Sequence, residues 1–218
     1  MKAVLEMDEL LYIVNKYEVY ITGITNVDVE SICIPECIDG LPVKEIETCA
    51  FSNMKYLKSV FLPDTITKIR SYAFANCPKL EFVSSESVDL IIHYGAFKDC
   101  TSLCQFVTDG TVSLSAFAFS GCEELRQFTG SIRSIADNTF GDCKKLKSLT
   151  FSNKMHLFCG SAFYNCDSLA VLVFEGSQQV LFSKMNNYER LREAEFVCDK
   201  NSNIPELVWL GYRVKVLG

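Results

Sequence analysis

The residues of this 218-residue chain with most chemistry to offer are two histidines and eleven cysteines. His93 and His156 would make an acid–base pair if the fold brought them together. They precede the nearest phenylalanine of a recurring phrase by four and seven residues. That places them on different columns of a periodic structure, which favours ordinary surface histidines. Cys33-x₃-Cys37, with Cys49 nearby, invites a metal or thiol-sensor reading. Structural zinc needs four ligands, usually two C-x₂₋₄-C pairs. Cys100-x₃-Cys104 has the spacing, but Cys100 belongs to a repeated packing slot and Cys104 to a strand. The sequence contains no phosphate loop, nucleophile elbow, H-E-x-x-H or dinucleotide fingerprint. Its 27 acids are scattered without a paired-carboxylate context. No catalytic residue, metal or cofactor is expected.

What positions these residues is a repeat. The phrase AFANCPKLEFV at Ala73 recurs as AFSNMKYLKSV at Ala50, AFKDCTSLCQF at Ala96, AFSGCEELRQF at Ala118, TFGDCKKLKSL at Thr139 and AFYNCDSLAVL at Ala162. Aligned on Phe51, Phe74, Phe97, Phe119, Phe140 and Phe163, the steps are 23, 23, 22, 21 and 23 residues. A degraded seventh copy follows at Met185, with Tyr188 and Leu191 in matching places. A period in the twenties is the mark of a solenoid. Five cysteines, Cys77, Cys100, Cys122, Cys143 and Cys166, each lie three residues after the repeat Phe. A repeated slot is a packing position rather than a pairing, and free Cys packs as a small hydrophobe.

The unit Leu57–Lys79 shows the coil. Val60 and Leu62 alternate at strand period, and Pro63-Asp64 is a turn. Ile66 and Ile69 form a second extended edge. Phe74, Cys77 and Leu80, three apart, suit a short helical or 3₁₀ segment. Stacked coils align a leucine column (Leu57, Leu80, Leu103, Leu125, Leu146, Leu169, Leu191). They also align a strand column (Val60, Val83, Phe106, Phe128, Leu149, Leu172, then Ala194) and an isoleucine column (Ile46, Ile69, Ile92, Leu114, Ile135, Phe158). Seven strands at ~4.8 Å spacing predict one parallel sheet ~29 Å long.

One domain is expected. Residues 1–42 read as an N-terminal cap, with a lead-in helical turn and a hairpin around Asn15-Lys16. Residues 43–174 are the repeats, and 175–218 are a degraded repeat and C-terminal cap. There a helical turn is expected near Pro205–Leu210, a last strand at Val214 and Val216, and Trp209 sealing the core.

Hydrophobic residues make up 49% of the chain, net charge is −6 and the pI is about 5.1. An acidic surface disfavours nucleic acid and anionic membranes. Glu6, Asp8 and Glu9 interrupt any leader-like apolar run. No membrane-spanning stretch is present. As it stands the sequence predicts a cytoplasmic protein with reduced thiols. A surface or secreted one is the alternative if a leader has been removed.

The string LPDTITKIRSYAFANCPKLEFV resembles the BspA-type (Treponema pallidum type) leucine-rich repeat. Leu57, Val60, Leu62, Pro63, Ile66, Ile69, Ala73, Phe74, Cys77 and Leu80 match its pattern in order. The likeness spans roughly residues 30–200, although the Leu-Pro turn survives only at Leu62-Pro63. It implies an α/β repeat solenoid of leucine-rich-repeat type: a right-handed superhelix, β-rich, with a parallel sheet on one face and short helical turns on the other. It also implies a protein-binding role, often at the cell surface.

Alternation sends residues two and four after each repeat Leu outward. These are Ser59 and Phe61, Phe82 and Ser84, Gln105 and Val107, Gln127 and Thr129, Ser148 and Thr150, Val171 and Val173, and Glu193 and Glu195. Phe61 and Phe82 should be neighbours, making an exposed aromatic contact site or two rings that cover each other. The candidate binding face is Phe61, Phe82 and Val107, with Val171 and Val173 as a second patch. The expected function is a non-catalytic protein-interaction scaffold with an unknown protein partner. The sequence leaves the oligomeric state open and favours a monomer, with no nucleic acid and no membrane insertion. A self-assembling structural module is the alternative.

Overall fold

A computed structural model describes residues 9–176, 180–183, 189–199, 202 and 212–217. Met185, Tyr188, Trp209, the expected turn near Pro205–Leu210 and residues 1–8 lie outside the described residues. The chain winds as a β-solenoid. An antiparallel hairpin of β1 (Leu10–Val14) and β2 (Val19–Ile24) opens it, Val14 pairing with Val19. The strands β3 (Ser31–Cys33), β4 (Cys37–Ile38) and β5 (Leu41–Ile46) follow. Each coil then contributes a front and a back strand. They are β6 (Ser59–Leu62) and β7 (Lys68–Ile69), β8 (Phe82–Ser85) and β9 (Asp89–Ile92), β10 (Gln105–Thr108) and β11 (Thr111–Leu114), and β12 (Gln127–Phe128) and β13 (Ser131–Ser134). Next come β14 (Ser148–Phe151) and β15 (Leu157–Cys159), then β16 (Val171–Phe174) and β17 (Leu181–Ser183); finally β18 (Glu195–Asp199) and β19 (Arg213–Leu217) lie side by side as parallel neighbours in one sheet.

The leucine column is buried throughout, from Leu57 to Leu191, as are the isoleucine column and the six repeat phenylalanines. Those six rings stack face to face along the solenoid, with centroids 5.1 Å apart at Phe51–Phe74 and 6.0 Å at Phe140–Phe163. Each ring thus supplies a wall for its neighbour, which is why the aromatic recurs.

Three expectations are corrected. The Phe-x-x-Cys-x-x-Leu segment is not helical. Among the described residues helical geometry is limited to 3₁₀ turns at Gly160–Phe163 and Glu189–Arg192 and to Glu9, ahead of β1. The hydrogen bonds show why. Tyr72, Phe74 and Asn76 donate their N–H groups to Tyr94, Ala96 and Lys98 of the next coil, at 2.8 to 3.0 Å. Ala73 and Ala75 close instead on Arg70 and Tyr72 of their own coil. Half the amides are therefore spent between coils, and the i→i−4 ladder cannot form. Left-handed residues bracket the repeat Phe: Tyr72 (φ 58°) two before Phe74 and Asn76 (φ 57°) two after. Asn53, Asp99, Gly121, Asp142 and Asn165 repeat the second position. Such a backbone breaks a right-handed helix at once.

The front strands do not form one sheet. β12, β10, β8, β6 and β3 make a five-stranded sheet; the back strands continue into β14, β16, β18 and β19 as a fourteen-stranded one. The change falls where twelve residues from leucine to isoleucine column (Leu57 to Ile69) shrink to ten (Leu125 to Ile135). β12 is cut to two residues and Gly130, at φ 102°, turns the chain immediately. The shortened corner draws β13 against β14, pairing Ile132 with Phe151. Thr129 is pulled back onto Thr108: its Oγ1 accepts from the Thr108 N–H at 2.9 Å.

The last coil is offset by two residues. The 3₁₀ turn at Glu189–Arg192 delays the strand, so Leu172 pairs with Phe196, not with Ala194. Phe196 stacks on Phe174 at 5.9 Å. Ala194 is buried ahead of the strand, and Glu195 pairs with Val171.

Candidate functional site

The front sheet places the candidate residues in two rows. Parallel register aligns Cys33, Phe61, Ser84 and Val107 along one, and Ser31, Ser59, Phe82, Gln105 and Gln127 along the other. Phe61 and Phe82 are diagonal neighbours, with centroids 5.8 Å apart and planes tilted by 52°. Phe61 remains 41% exposed, while Phe82 and Val107 are half-buried. The rings therefore touch without hiding each other. Polar side chains pair around them: Ser59 donates to Ser31 at 2.9 Å, and Gln105 donates to Gln127 at 3.1 Å. Beside Phe61 a groove of about 320 Å³ is lined by Ile34, Pro35, Leu62 and Pro63 together with Cys33, Glu36, Ser84 and Glu86.

Val171 and Val173 sit elsewhere. They pair with Ser148 and Thr150 on β14, across the break in the front column, and with Glu195 and Val197 on β18. Both are half-buried, and the structure does not join them to Phe61.

The chemistry-bearing residues separate. His93 follows β9 and His156 precedes β15, with β11 and β13 between them. Burial holds the His93 imidazole below its usual pKa, and the Arg70 and Lys68 charges push the same way. Cys33, Cys37 and Cys49 are exposed free thiols. Among the described residues no three His, Cys, Asp or Glu side chains converge as metal ligands do.

The repeat cysteines do more than fill space. Each buried thiol donates to the carbonyl of the repeat Phe one coil back: Cys77 to Phe51 (3.2 Å), Cys100 to Phe74 (3.0 Å), Cys122 to Phe97 (3.2 Å), Cys143 to Phe119 (3.2 Å) and Cys166 to Phe140 (2.9 Å). Burial raises the pKa of Cys100, Cys122 and Cys143.

Three clusters escaped sequence reasoning. Glu45, 4% exposed, accepts from Lys68 Nζ at 2.7 Å and from Arg70 Nε at 2.7 Å. Burial works to raise its pKa, and the two cations outweigh it, so the net shift is downward. Tyr72, Tyr94 and Phe117 form an outer aromatic strip, each neighbouring pair 5.4 Å apart. Cys159 and Ser161 both donate to Asp137 Oδ1. Residues spaced by one repeat are the shared signal: Glu45 and Lys68 are 23 apart, Asp137 and Ser161 are 24 apart.

The coil, its buried leucine, phenylalanine and cysteine columns, and its paired strands define a leucine-rich-repeat β-solenoid. The chain belongs to the BspA type leucine rich repeat family, whose six-copy region matches residues 25–130 and 112–206. Solved structures share the fold. The Treponema pallidum leucine rich repeat protein aligns with a TM-score of 0.60 and 19% identity, covering 97% of each chain. A leucine rich cell surface protein of Faecalibacterium prausnitzii gives 0.56 and 21%, covering 91% of this chain and 54% of its own. A leucine-rich repeat protein of Bacteroides ovatus gives 0.53 and 16%, covering 98% and 76%. No curated protein matches the sequence significantly.

Proposed function

We propose that the chain is a non-catalytic protein-interaction scaffold whose contact face is the front sheet around Phe61, Phe82 and Val107. One observation carries this: Phe61, on the outward face of β6, holds 41% of its surface in water while touching Phe82. An exposed aromatic pair beside a groove has the composition of an interface centre. Phe61→Ser with Phe82→Ser is expected to abolish capture of a partner from lysate and to leave the melting temperature unchanged. Capture that persists would move the site off this face. Val171 and Val173 form a second, smaller patch of the same kind.

A second reading, self-assembly, rests on a different element. β1 is the edge of the larger sheet, and Leu11, Ile13 and Val14 on it are 47%, 53% and 52% exposed. An apolar edge strand offers both unpaired backbone and side chains to another chain. Light scattering on the wild type and on Ile13→Lys separates the readings. A mass that rises with concentration and falls in the variant supports assembly.

For location, the Faecalibacterium relative is named a cell surface protein. That supports surface display, and free thiols are compatible with it in an anaerobic habitat. Among the described residues no helix is long and apolar enough to cross a membrane. Labelling of intact cells with an impermeant reagent tests the assignment, and a chain labelled only after lysis would overturn it.

A further inference from the structure

We infer that the occupant of the front groove is a lysine- or arginine-rich extended segment of a protein partner, an inference that rests on the front-face reading above. Where the front strands begin, ion pairs predominate: Lys58 pairs with Glu30 at 2.8 Å and Arg126 with Glu124 at 2.9 Å, and Glu81 ahead of β8 is the exposed acid without an ion pair there among the described residues. Where they end, each of four successive strands runs into an acid. Glu36 follows β3, Asp64 follows β6, Glu86 follows β8 and Asp109 follows β10. All four are exposed, and none has an ion-pair partner among the described residues.

Four unpaired carboxylates on consecutive coils run along the solenoid for about 14 Å at the ordinary inter-strand spacing. Exposed like charges along one margin set up a negative potential that a cationic ligand meets on approach. Glu36 and Glu86 line the groove beside Phe61. Rim and groove therefore address one ligand together, an apolar side chain in the groove with basic side chains on the rim. An extended peptide crossing the strands supplies a side chain on one face about every 6.8 Å, which spreads two or three cations over the rim. A second copy of this chain fits poorly, because its net charge of −6 opposes the rim.

The probe is a fluorescein-labelled peptide alternating Lys and Thr around a central Leu, compared by anisotropy with its Glu-for-Lys counterpart. The Lys peptide is expected to bind the wild type, and more weakly as salt rises. Glu86→Lys with Asp109→Lys should weaken it about tenfold while letting the Glu peptide bind. That exchange of partners excludes simple misfolding. Phe61→Ser should weaken the Lys peptide with the rim intact. Equal binding of both peptides, binding indifferent to the rim reversal, binding that needs only the rim and not Phe61, or no binding of either would each overturn the inference. If the rim reversal changes nothing while partner capture still depends on Phe61 and Phe82, the charge inference fails and the front-face reading stands.

Discussion

The Cys100 thiol donates to the carbonyl oxygen of Phe74, one coil back, at 3.0 Å. The same bond joins every repeat cysteine to the preceding repeat phenylalanine, so the column links the coils it packs. Cys100→Val keeps the volume and removes the donor. It should cost about 1–2 kcal/mol, the penalty of a buried carbonyl that loses a partner. Chemical denaturation measures it, and wild-type stability in the variant would reduce the thiol to filler.

Buried thiols also make stability fall in alkali. Cys100, Cys122 and Cys143 are raised above the ordinary thiol pKa by burial. The unfolded chain ionises them from about pH 8.5, while the folded chain keeps its protons. Their contribution is complete below that pH and declines as pH climbs toward the folded values. Urea midpoints under reductant should drop between neutral and about pH 10, less steeply in Cys122→Ala.

Phe97 is stacked between Phe74 at 5.2 Å and Phe119 at 5.1 Å and meets Phe106 edge-on at 5.7 Å. Phe97→Ala should cost about 3–5 kcal/mol and lower the melting temperature by roughly 10 °C. A melt within a degree or two of wild type would contradict an interior column.

Glu45 is buried between Lys68 and Arg70, whose side chains are 36% and 39% exposed. Solvent screening of those partners limits the loss in Glu45→Gln to about 1–2 kcal/mol. The depressed pKa of Glu45 adds a pH signature. Its contribution is present above the unfolded carboxyl value and disappears as pH falls through the folded one. The wild type should lose its advantage over Glu45→Gln below about pH 4 in paired thermal melts.

Tyr72 holds a left-handed backbone, φ 58°, that bulky residues avoid. Both Tyr72→Ala and Tyr72→Gly remove the ring contact with Tyr94. Only glycine relieves the backbone, so Tyr72→Gly should be the more stable of the two by about 1 kcal/mol. Equal stabilities would mean the turn relaxes when the ring is lost.

Periodicity alone was enough to assign the solenoid, its buried columns and its outward residues. A side chain's column depends only on its distance from the repeat Phe, and like residues must stack when each coil meets only its neighbours. That placed Phe61 beside Phe82 and all five repeat cysteines in the core. The phrase itself argues against the helical turn: Asn53, Asn76, Asp99, Gly121, Asp142 and Asn165 all stand two after the Phe, and all are residue types that tolerate left-handed backbone. Other features needed the tertiary structure. Which amides bond across coils, where the shortened corner after β12 splits the front sheet, and how the last strand slips to set Phe196 on Phe174 all depend on backbone geometry accumulated over several coils. The unpaired rim of Glu36, Asp64, Glu86 and Asp109 belongs there too. Those acids are 28, 22 and 23 residues apart, and only the winding of the coils brings them to one margin of the sheet.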